Sequence, residues 1–310
     1  MSLSGARVVV TGAGGFLGGH LLDALRAVGA DAIPVTRKEC DLREPDSTQW
    51  LFQTLSPEYV IHAAAVGGGI GWMGAHPATA LVENLVLNTN VLEASRRAGV
   101  RRIVGISSAC AYAADAAQPM CEADIFSGAP EPSNGPYGHA KRVMLVHGAA
   151  LHAEFGVDCA FVVPTNLYGP GEDFSPERSH LVGAMVRRLD DARRAGAASV
   201  TCWGSGTATR DLLHARDAAE AIVALLTTGG GPAPVNLGSG QERTIAEIAS
   251  EVAQAVGYDG SLSWDTTKPD GMRRKVLDTT LARRRLGWHP RISLSDGLAE
   301  TVSWFRSSCS

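Results

Sequence analysis

A chain of 310 residues that is 45% hydrophobic and 19% charged can bury a large core and is neither a disordered nor a fibrous sequence. Its formal net charge of −4 argues against nucleic acid or an anionic membrane as partner, because both favour basic surfaces. The 35 glycines have no period, which excludes a collagen-like repeat and points to tight turns and close backbone approaches. The 6 cysteines, Cys40, Cys110, Cys121, Cys159, Cys202 and Cys309, form no C-x-x-C pair, which suits reduced thiols and a cytoplasmic location. Met1 to Arg7 lacks a basic segment followed by an apolar one, and no apolar run approaches the ~18 residues of a membrane span, so neither a leader nor a membrane anchor is expected. His and Cys do not cluster at metal-ligand spacing, so no metal is expected.

The first half alternates strands and helices. Arg7 to Thr11 is a β-branched apolar run, the pattern of a buried parallel strand, and a glycine-rich turn follows from Gly12 to Gly19. Apolar spacing predicts a helix over Phe16 to Val28, closed by Gly29, and a strand over Ala32 to Val35. A helix over Ser47 to Leu55, a strand over Tyr59 to His62 and a flexible stretch over Val66 to Gly74 come next. Pro77 opens a long helix reaching Ala98, Arg102 to Ile106 is a strand, Tyr137 to Phe155 a helix, and Asp158 to Val163 a strand ending at Pro164. This alternation predicts an α/β protein with a Rossmann-like, doubly wound parallel sheet. Beyond Pro164 the loops Tyr168 to Ser179, Thr228 to Pro234 and Lys268 to Gly271 separate shorter elements. The expected division is a nucleotide-binding domain over 1–165 and, over 166–310, mainly a smaller C-terminal substrate-binding lobe interleaved with the last elements of the sheet.

The glycines of the turn stand at 12, 15 and 18, between a strand and a helix. Gly12 permits the tight turn, Gly15 the approach of a pyrophosphate, and Gly18 close helix–strand packing. The second strand ends in Thr36-Arg37-Lys38, where Arg37 suits an adenosine 2′-phosphate better than a 2′-hydroxyl, so the expected cofactor is NADP(H). Downstream, Tyr137 and Lys141 are four apart on a helix, after a strand ending in Ser107-Ser108. A phenol of pKa about 10 needs help to act as an acid–base group near neutrality, and a neighbouring ammonium is expected to lower it.

These features together resemble the extended short-chain dehydrogenases/reductases and, within them, the GDP-L-fucose synthase family of NADPH-dependent 3,5-epimerase/4-reductases. The motifs that carry the resemblance include Ala63 to Gly68, Gln118-Pro119-Met120, Glu131 to Asn134, Pro164 to Pro170, Ser179-His180, Trp203 to Thr207 and Lys268 to Gly271. The resemblance implies a reductase triad of Ser108, Tyr137 and Lys141, with Cys110 and His180 as the epimerising pair. It implies cofactor contacts from Gly12, Gly15, Phe16, Leu17, Gly18, Arg37, Asp41, Leu42, Ala63, Ala64, Tyr137, Lys141 and Pro164. For a nucleotide sugar it implies Asn166, His180, Arg187, Trp203, Arg210 and Asp270. The chain departs from the family at Ala109, commonly Ser, and at Gly14, often Arg, which leaves Arg37 to hold a 2′-phosphate with less help.

The implied reaction is epimerisation and reduction of a nucleotide-linked 4-keto-6-deoxy sugar. The competing readings are a nucleotide-sugar epimerase with tightly held NAD and no net redox, a reductase/epimerase for a heptose or dideoxyhexose, and a non-catalytic dinucleotide sensor. A homodimer is expected through the helices beginning at Pro77 and Tyr137, with Ala80, Leu81, Leu85, Leu92, Val143, Met144, Val146 and Ala150 as surplus apolar residues.

Overall fold

The computed structural model describes residues 2–228, 231–268 and 270–308, so Gly229, Gly230, Pro269 and Cys309, named above within loops or as a thiol, lie outside the described residues. In chain order, β1 (Arg7–Thr11), α1 (Phe16–Ala27), β2 (Asp31–Val35), α2 (Pro45–Leu55), β3 (Tyr59–His62), α3 (Ile70–Ala75), α4 (Pro77–Arg97), β4 (Arg102–Ile106), α5 (Gly135–Phe155) and β5 (Cys159–Pro164) make the first half. The second half has β6 (Asn166–Tyr168), α6 (Leu181–Arg194), β7 (Ser199–Trp203), β8 (Thr209–His214), α7 (Ala215–Leu225), β9 (Pro234–Leu237) and β10 (Glu242–Thr244). Then follow α8 (Ile245–Val256), β11 (Ser261–Asp265), β12 (Arg274–Lys275), α9 (Thr280–Leu286) and α10 (Leu294–Ser308).

Six parallel strands run in the order β2-β1-β3-β4-β5-β9. Val8, Val9 and Val10 are wholly buried, because helices cover both faces and a two-sided burial selects continuous β-branched runs. One face buries Phe52, Val91, Leu92, Met144 and Phe161 under α2, α4 and α5; the other buries Leu21, Leu25, Val162 and Ile222 under α1 and α7. The winding reverses between β1 and β3, which pair in the middle of the sheet, and this switch opens a crevice beyond the carboxyl ends of the strands. The glycine turn, Ala63, Ser108 and Pro164 all lie at those ends.

The lobe has its own core of Tyr168, Val186, Ile248, Val252, Leu298 and Phe305. Its strands form a β10-β8-β12 sheet, joined by β6 on β8, and a β11-β7 pair. β9 returns from the second half to pair with β5, carrying Asn236 into the base of the crevice. Asn236 donates to the carbonyls of Met120 (2.9 Å) and Asp278 (3.1 Å) and accepts from the Tyr112 hydroxyl (2.7 Å), which stitches β9 to segments from both halves.

Three expectations change. Segment Val66 to Gly74 is not simply a loose cover: α3 begins at Ile70, and the segment is tied down by Arg178. The Arg178 guanidinium donates to the Gly67 carbonyl at 2.8 Å and lies 5.4 Å from the Trp72 ring centre, while the Gly69 N–H donates to the Arg178 carbonyl at 2.9 Å. Helix α5 starts two residues before Tyr137, with Pro136 in its first turn. Of the apolar residues assigned to a dimer face, Ala80, Leu92 and Met144 turn into the chain's own core, Val143, Val146 and Ala150 are exposed, and Val82, not among them, is exposed on α4 as well.

Candidate active site

The crevice is shaped to take a dinucleotide at the glycine turn. Gly12 has φ +69°, and a Cβ there would lie 2.7 Å from the Ala64 backbone; a Cβ on Gly18 would lie 2.2 Å from the Gly12 carbonyl. Gly15 is the N-cap of α1 and offers no side chain to its first-turn N–H groups, which leaves them to an anion. Phe16 and Leu17 open that helix, and Ala63, Ala64 and Pro164 close the floor beside it. Arg37 is exposed just past β2. The end of β2 also carries a carboxylate that the residue pattern did not reveal: Glu39 folds back to accept from the Thr36 N–H (2.8 Å) and hydroxyl, and these bonds lower its pKa. Asp41 is clasped by the Arg43 backbone and guanidinium, which hold its pKa down at about 2. Leu42 is buried in the core, with its carbonyl accepting from Asn90 at 2.9 Å. Both residues, implied above as cofactor contacts, therefore also serve the protein's own fold.

Beneath the strand ends, Lys141 is 2% exposed and donates to the Ile106 carbonyl at 2.8 Å. Its ammonium lies 5.6 Å from the Tyr137 ring centre, as four-residue helical spacing requires. Burial pulls Lys141 down to about 8. Tyr137 moves the other way from the expectation: burial pushes its phenol up, and negative charge on Cys110 pushes it further. In the chain itself Tyr137 is thus held as a protonated phenol, a donor rather than a phenolate. His62, below the same floor, is kept neutral, its pKa lowered to about 3 by burial and by Lys141, and it bonds Thr11 (2.8 Å) and Asn88 (2.9 Å).

Ser108 leads into a short 3₁₀ turn, Ala109–Ala111, and its hydroxyl accepts from the Cys110 N–H at 3.2 Å. Ala109, the departure from the family pattern, points into the core at 2% exposure, where a hydroxyl would have to find a partner. Gly138 lets α5 approach this turn: a Cβ there would lie 2.3 Å from the Cys110 carbonyl. Two donors missed in the sequence converge on the Cys110 sulfur. Asn134 Nδ2 and Lys275 Nζ each stand 3.3 Å from Sγ. Asn134 is the N-cap of α5 but makes no side-chain cap bond, so its amide is directed at the thiol instead.

His180 is the N-cap of α6 and likewise makes no side-chain cap bond. Its imidazole is open to solvent on the cleft wall yet crowded by protein, and that crowding, with Lys275 second and Asp173 opposing, lowers its pKa. The helix start behind it is secured by Glu172, whose buried carboxyl accepts from the Gly183 N–H at 3.2 Å and is pushed up to about 8 by burial.

The outer wall comes from the lobe. Arg210 donates to the carbonyls of Thr209 and Met272, both at 2.7 Å, and of Asp270 at 3.2 Å. Burial lowers its pKa, with Cys110 opposing that shift. Trp203 is 55% exposed, with the Lys268 ammonium 5.7 Å from its ring centre, so a flat face is available to a base. Asn166 lies on β6, paired with Leu212 of β8. Two expected substrate contacts have structural work. Asp270 accepts from the Ser205 N–H (2.7 Å) and hydroxyl (2.8 Å), and Arg187 donates to the Phe174 carbonyl (2.7 Å) over the Phe305 ring. Among the described residues no group of His, Cys, Asp and Glu could hold a metal ion, and no helix is long and apolar enough to cross a membrane.

A nucleotide turn followed by Ser108, Cys110, Tyr137 and Lys141 around one strand end defines a dinucleotide-dependent enzyme of the extended short-chain type. Residues 8–238 match the NAD dependent epimerase/dehydratase family, and the chain belongs to it. It is 39% identical to GDP-L-fucose synthase 1 of Arabidopsis thaliana, over 98% of this chain and 94% of that protein. It is 34% identical to GDP-L-fucose synthase of Escherichia coli, over 98% and 97% of the two chains. The solved structure of a GDP-L-fucose synthetase from Naegleria fowleri bound to NADP superposes with a TM-score of 0.90 at 25% identity, covering all of this chain and 97% of that one.

Proposed function

We propose that the chain epimerises and reduces a nucleotide-linked 4-keto-6-deoxyhexose, with GDP-4-keto-6-deoxy-D-mannose as substrate, GDP-L-fucose as product and NADPH as reductant. The observation that supports this reading is Cys110 beside Ser108 and Tyr137 at the carboxyl end of β4, with the Lys275 ammonium in contact with its sulfur and also acting on His180, a combination that a simple reductase does not need. The similarity to GDP-L-fucose synthases over nearly the whole chain supports the choice of sugar and base.

Carbons 3 and 5 of such a sugar flank the C4 ketone, so their protons leave to form an enolate. Inversion requires one group to take the proton on one face and another to return one on the opposite face, and Cys110 and His180 are a thiol and an imidazole suited to that near neutrality. Hydrogen bonds from Ser108 and Tyr137 to the C4 oxygen stabilise the enolate. Bound NADPH supplies the hydride to C4. Tyr137, kept protonated by burial, delivers its proton to the same oxygen, and Lys141 binds the nicotinamide ribose and supports the phenol afterwards. Arg210, and Arg187 alongside its bond to the Phe174 carbonyl, are read as the cations for the diphosphate, and Trp203 as the platform for the base. The assay is incubation with that substrate and NADPH in deuterated water. One NADPH consumed per product, with deuterium at C3 and C5, supports the reading; consumption without deuterium reduces it to a plain reductase, and deuterium without consumption to an epimerase.

Arg37 is read as the 2′-phosphate ligand. NADPH should be used with higher catalytic efficiency than NADH, and Arg37→Ser should remove most of that preference. Equal efficiency with both cofactors in the wild-type chain would overturn the assignment.

We read the surface of α4 and α5 as the seat of a homodimer, because Val82, Val143 and Val146 present apolar surface there at 54%, 45% and 56% exposure. Light scattering should give twice the mass of one chain, and Val146→Glu should shift it toward the monomer. A monomeric mass at micromolar concentration contradicts this.

A further inference from the structure

We propose that Lys275 is the positioning residue for Cys110 in the epimerising pair, its ammonium in contact with the sulfur, where it favours negative charge. The inference rests on the epimerase/reductase reading for its catalytic consequence, but the electrostatic claim stands on the chain alone.

The placement is built rather than incidental. Lys275 Nζ is a hydrogen-bond distance of 3.3 Å from Cys110 Sγ across 165 residues of sequence. It stands on β12, a two-residue strand that would not persist on its own. β12 is locked from three sides. Arg274 makes a two-pronged pair with Glu242, both bonds 2.8 Å. β12 pairs in parallel with β8, setting Lys275 opposite Arg210. The Val276 N–H donates to Gln118 Oε1 at 3.1 Å, and the Met120 N–H returns a bond to the Val276 carbonyl at 2.9 Å. The strand thus spans from the lobe to the sheet, with Lys275 directed into the crevice.

The groups facing Cys110 are Lys275 from β12, Arg210 from β8, Asn134 and Tyr137 from the start of α5, and Ser108 through its own turn. Arg210 is committed to three carbonyls, and Asn134 and Tyr137 carry no charge, so Lys275 is the cation in direct contact with the sulfur. The same ammonium acts on His180, where it is the largest charge effect and disfavours imidazolium. In proton transfer, a Cys110 thiolate takes the carbon-bound proton and becomes a thiol, while the C–H electron pair passes to the C4 oxygen as enolate. The reprotonating proton comes from an imidazolium that Lys275 makes a stronger acid. The cation therefore assists proton abstraction by the sulfur, and at the imidazole it trades a stronger acid for a smaller share of imidazolium.

The test is alkylation of Cys110 by iodoacetamide, followed by peptide mass spectrometry from pH 5.5 to 10 in the absence of substrate, in wild type, Lys275→Met and Lys275→Arg. Because the ammonium in contact favours negative charge on the sulfur, Lys275→Met should slow alkylation near pH 7 by about threefold or more. The difference should close at high pH, and Lys275→Arg should restore most of the rate. If Lys275→Met fails to fold, Lys275→Gln takes its place. Equal rates at pH 7 in the wild type and the neutral variant overturn the proposal. So does slower deuterium exchange at C3 and C5 with unchanged alkylation, which would place Lys275 on the substrate phosphates instead. Slower alkylation in a chain whose wild type exchanges no substrate deuterium leaves Lys275 on the sulfur and removes the epimerase reading.

Discussion

Tyr137→Phe should slow oxidation of NADPH by the 4-keto substrate by at least about a hundredfold, the effect of losing a positioned acid or oxyanion donor. The reason lies in how the phenol is held. Burial raises its pKa and so favours the protonated form, which in the proposed reaction is a hydrogen-bond donor before the hydride arrives and the proton source when it does. Phe preserves the ring and its packing near Gly67, so the loss is chemical. Exchange at C3 and C5 should also slow, by less, because Ser108 still supports the enolate. Cofactor affinity should hold, since Lys141 and the glycine turn are untouched. Stopped-flow absorbance of NADPH reads the first effect and fluorescence titration the last. A near-normal rate would remove Tyr137 as the acid.

Cys110→Ser should lower deuterium incorporation by roughly 10²–10⁴, since a hydroxyl is a far weaker acid–base group than a thiol near neutral pH. The substitution is small and leaves the backbone N–H bond to Ser108 in place. NADPH binding should be unchanged. Substrate reduced without inversion is the product to look for by sugar analysis, because the hydride step uses Tyr137 and Lys141 and not the sulfur. Full incorporation of deuterium in this variant would exclude Cys110 from the proton transfers.

The parts of this arrangement that were legible in the sequence are those whose signals are local. Val8 to Val10, the glycines at 12, 15 and 18, and the Tyr137–Lys141 spacing each express a strand, a turn or a helix face within a few residues, and the structure has them there. What the sequence hid depends on contacts between distant segments. Lys275 reaches Cys110 over 165 residues and Arg178 reaches Gly67 over 111, and neither leaves a periodic trace. The only local hint of Lys275 was its place a few residues beyond the Lys268 to Gly271 motif, and of Asn134 its place ending the Glu131 to Asn134 motif. Spacing also misjudged the Tyr137 phenol, because it registers a neighbouring ammonium but not the burial that outweighs it. Asp270 and Arg187 were implied by the family resemblance, and the fold adds to each a partner within the chain that no local pattern signals.

In the proposed reaction one crevice performs proton exchange and hydride transfer as separable steps with different residues. This separation is tested most directly by supplying NADP⁺ with no NADPH, adding GDP-4-keto-6-deoxy-D-mannose in deuterated water, and following the sugar by mass spectrometry and NMR. The expected result is deuterium entering C3 and C5 with the C4 ketone intact, lost in Cys110→Ser and retained at a reduced rate in Tyr137→Phe. No exchange at either carbon in the wild-type chain, under conditions where added NADPH is then consumed, would contradict it.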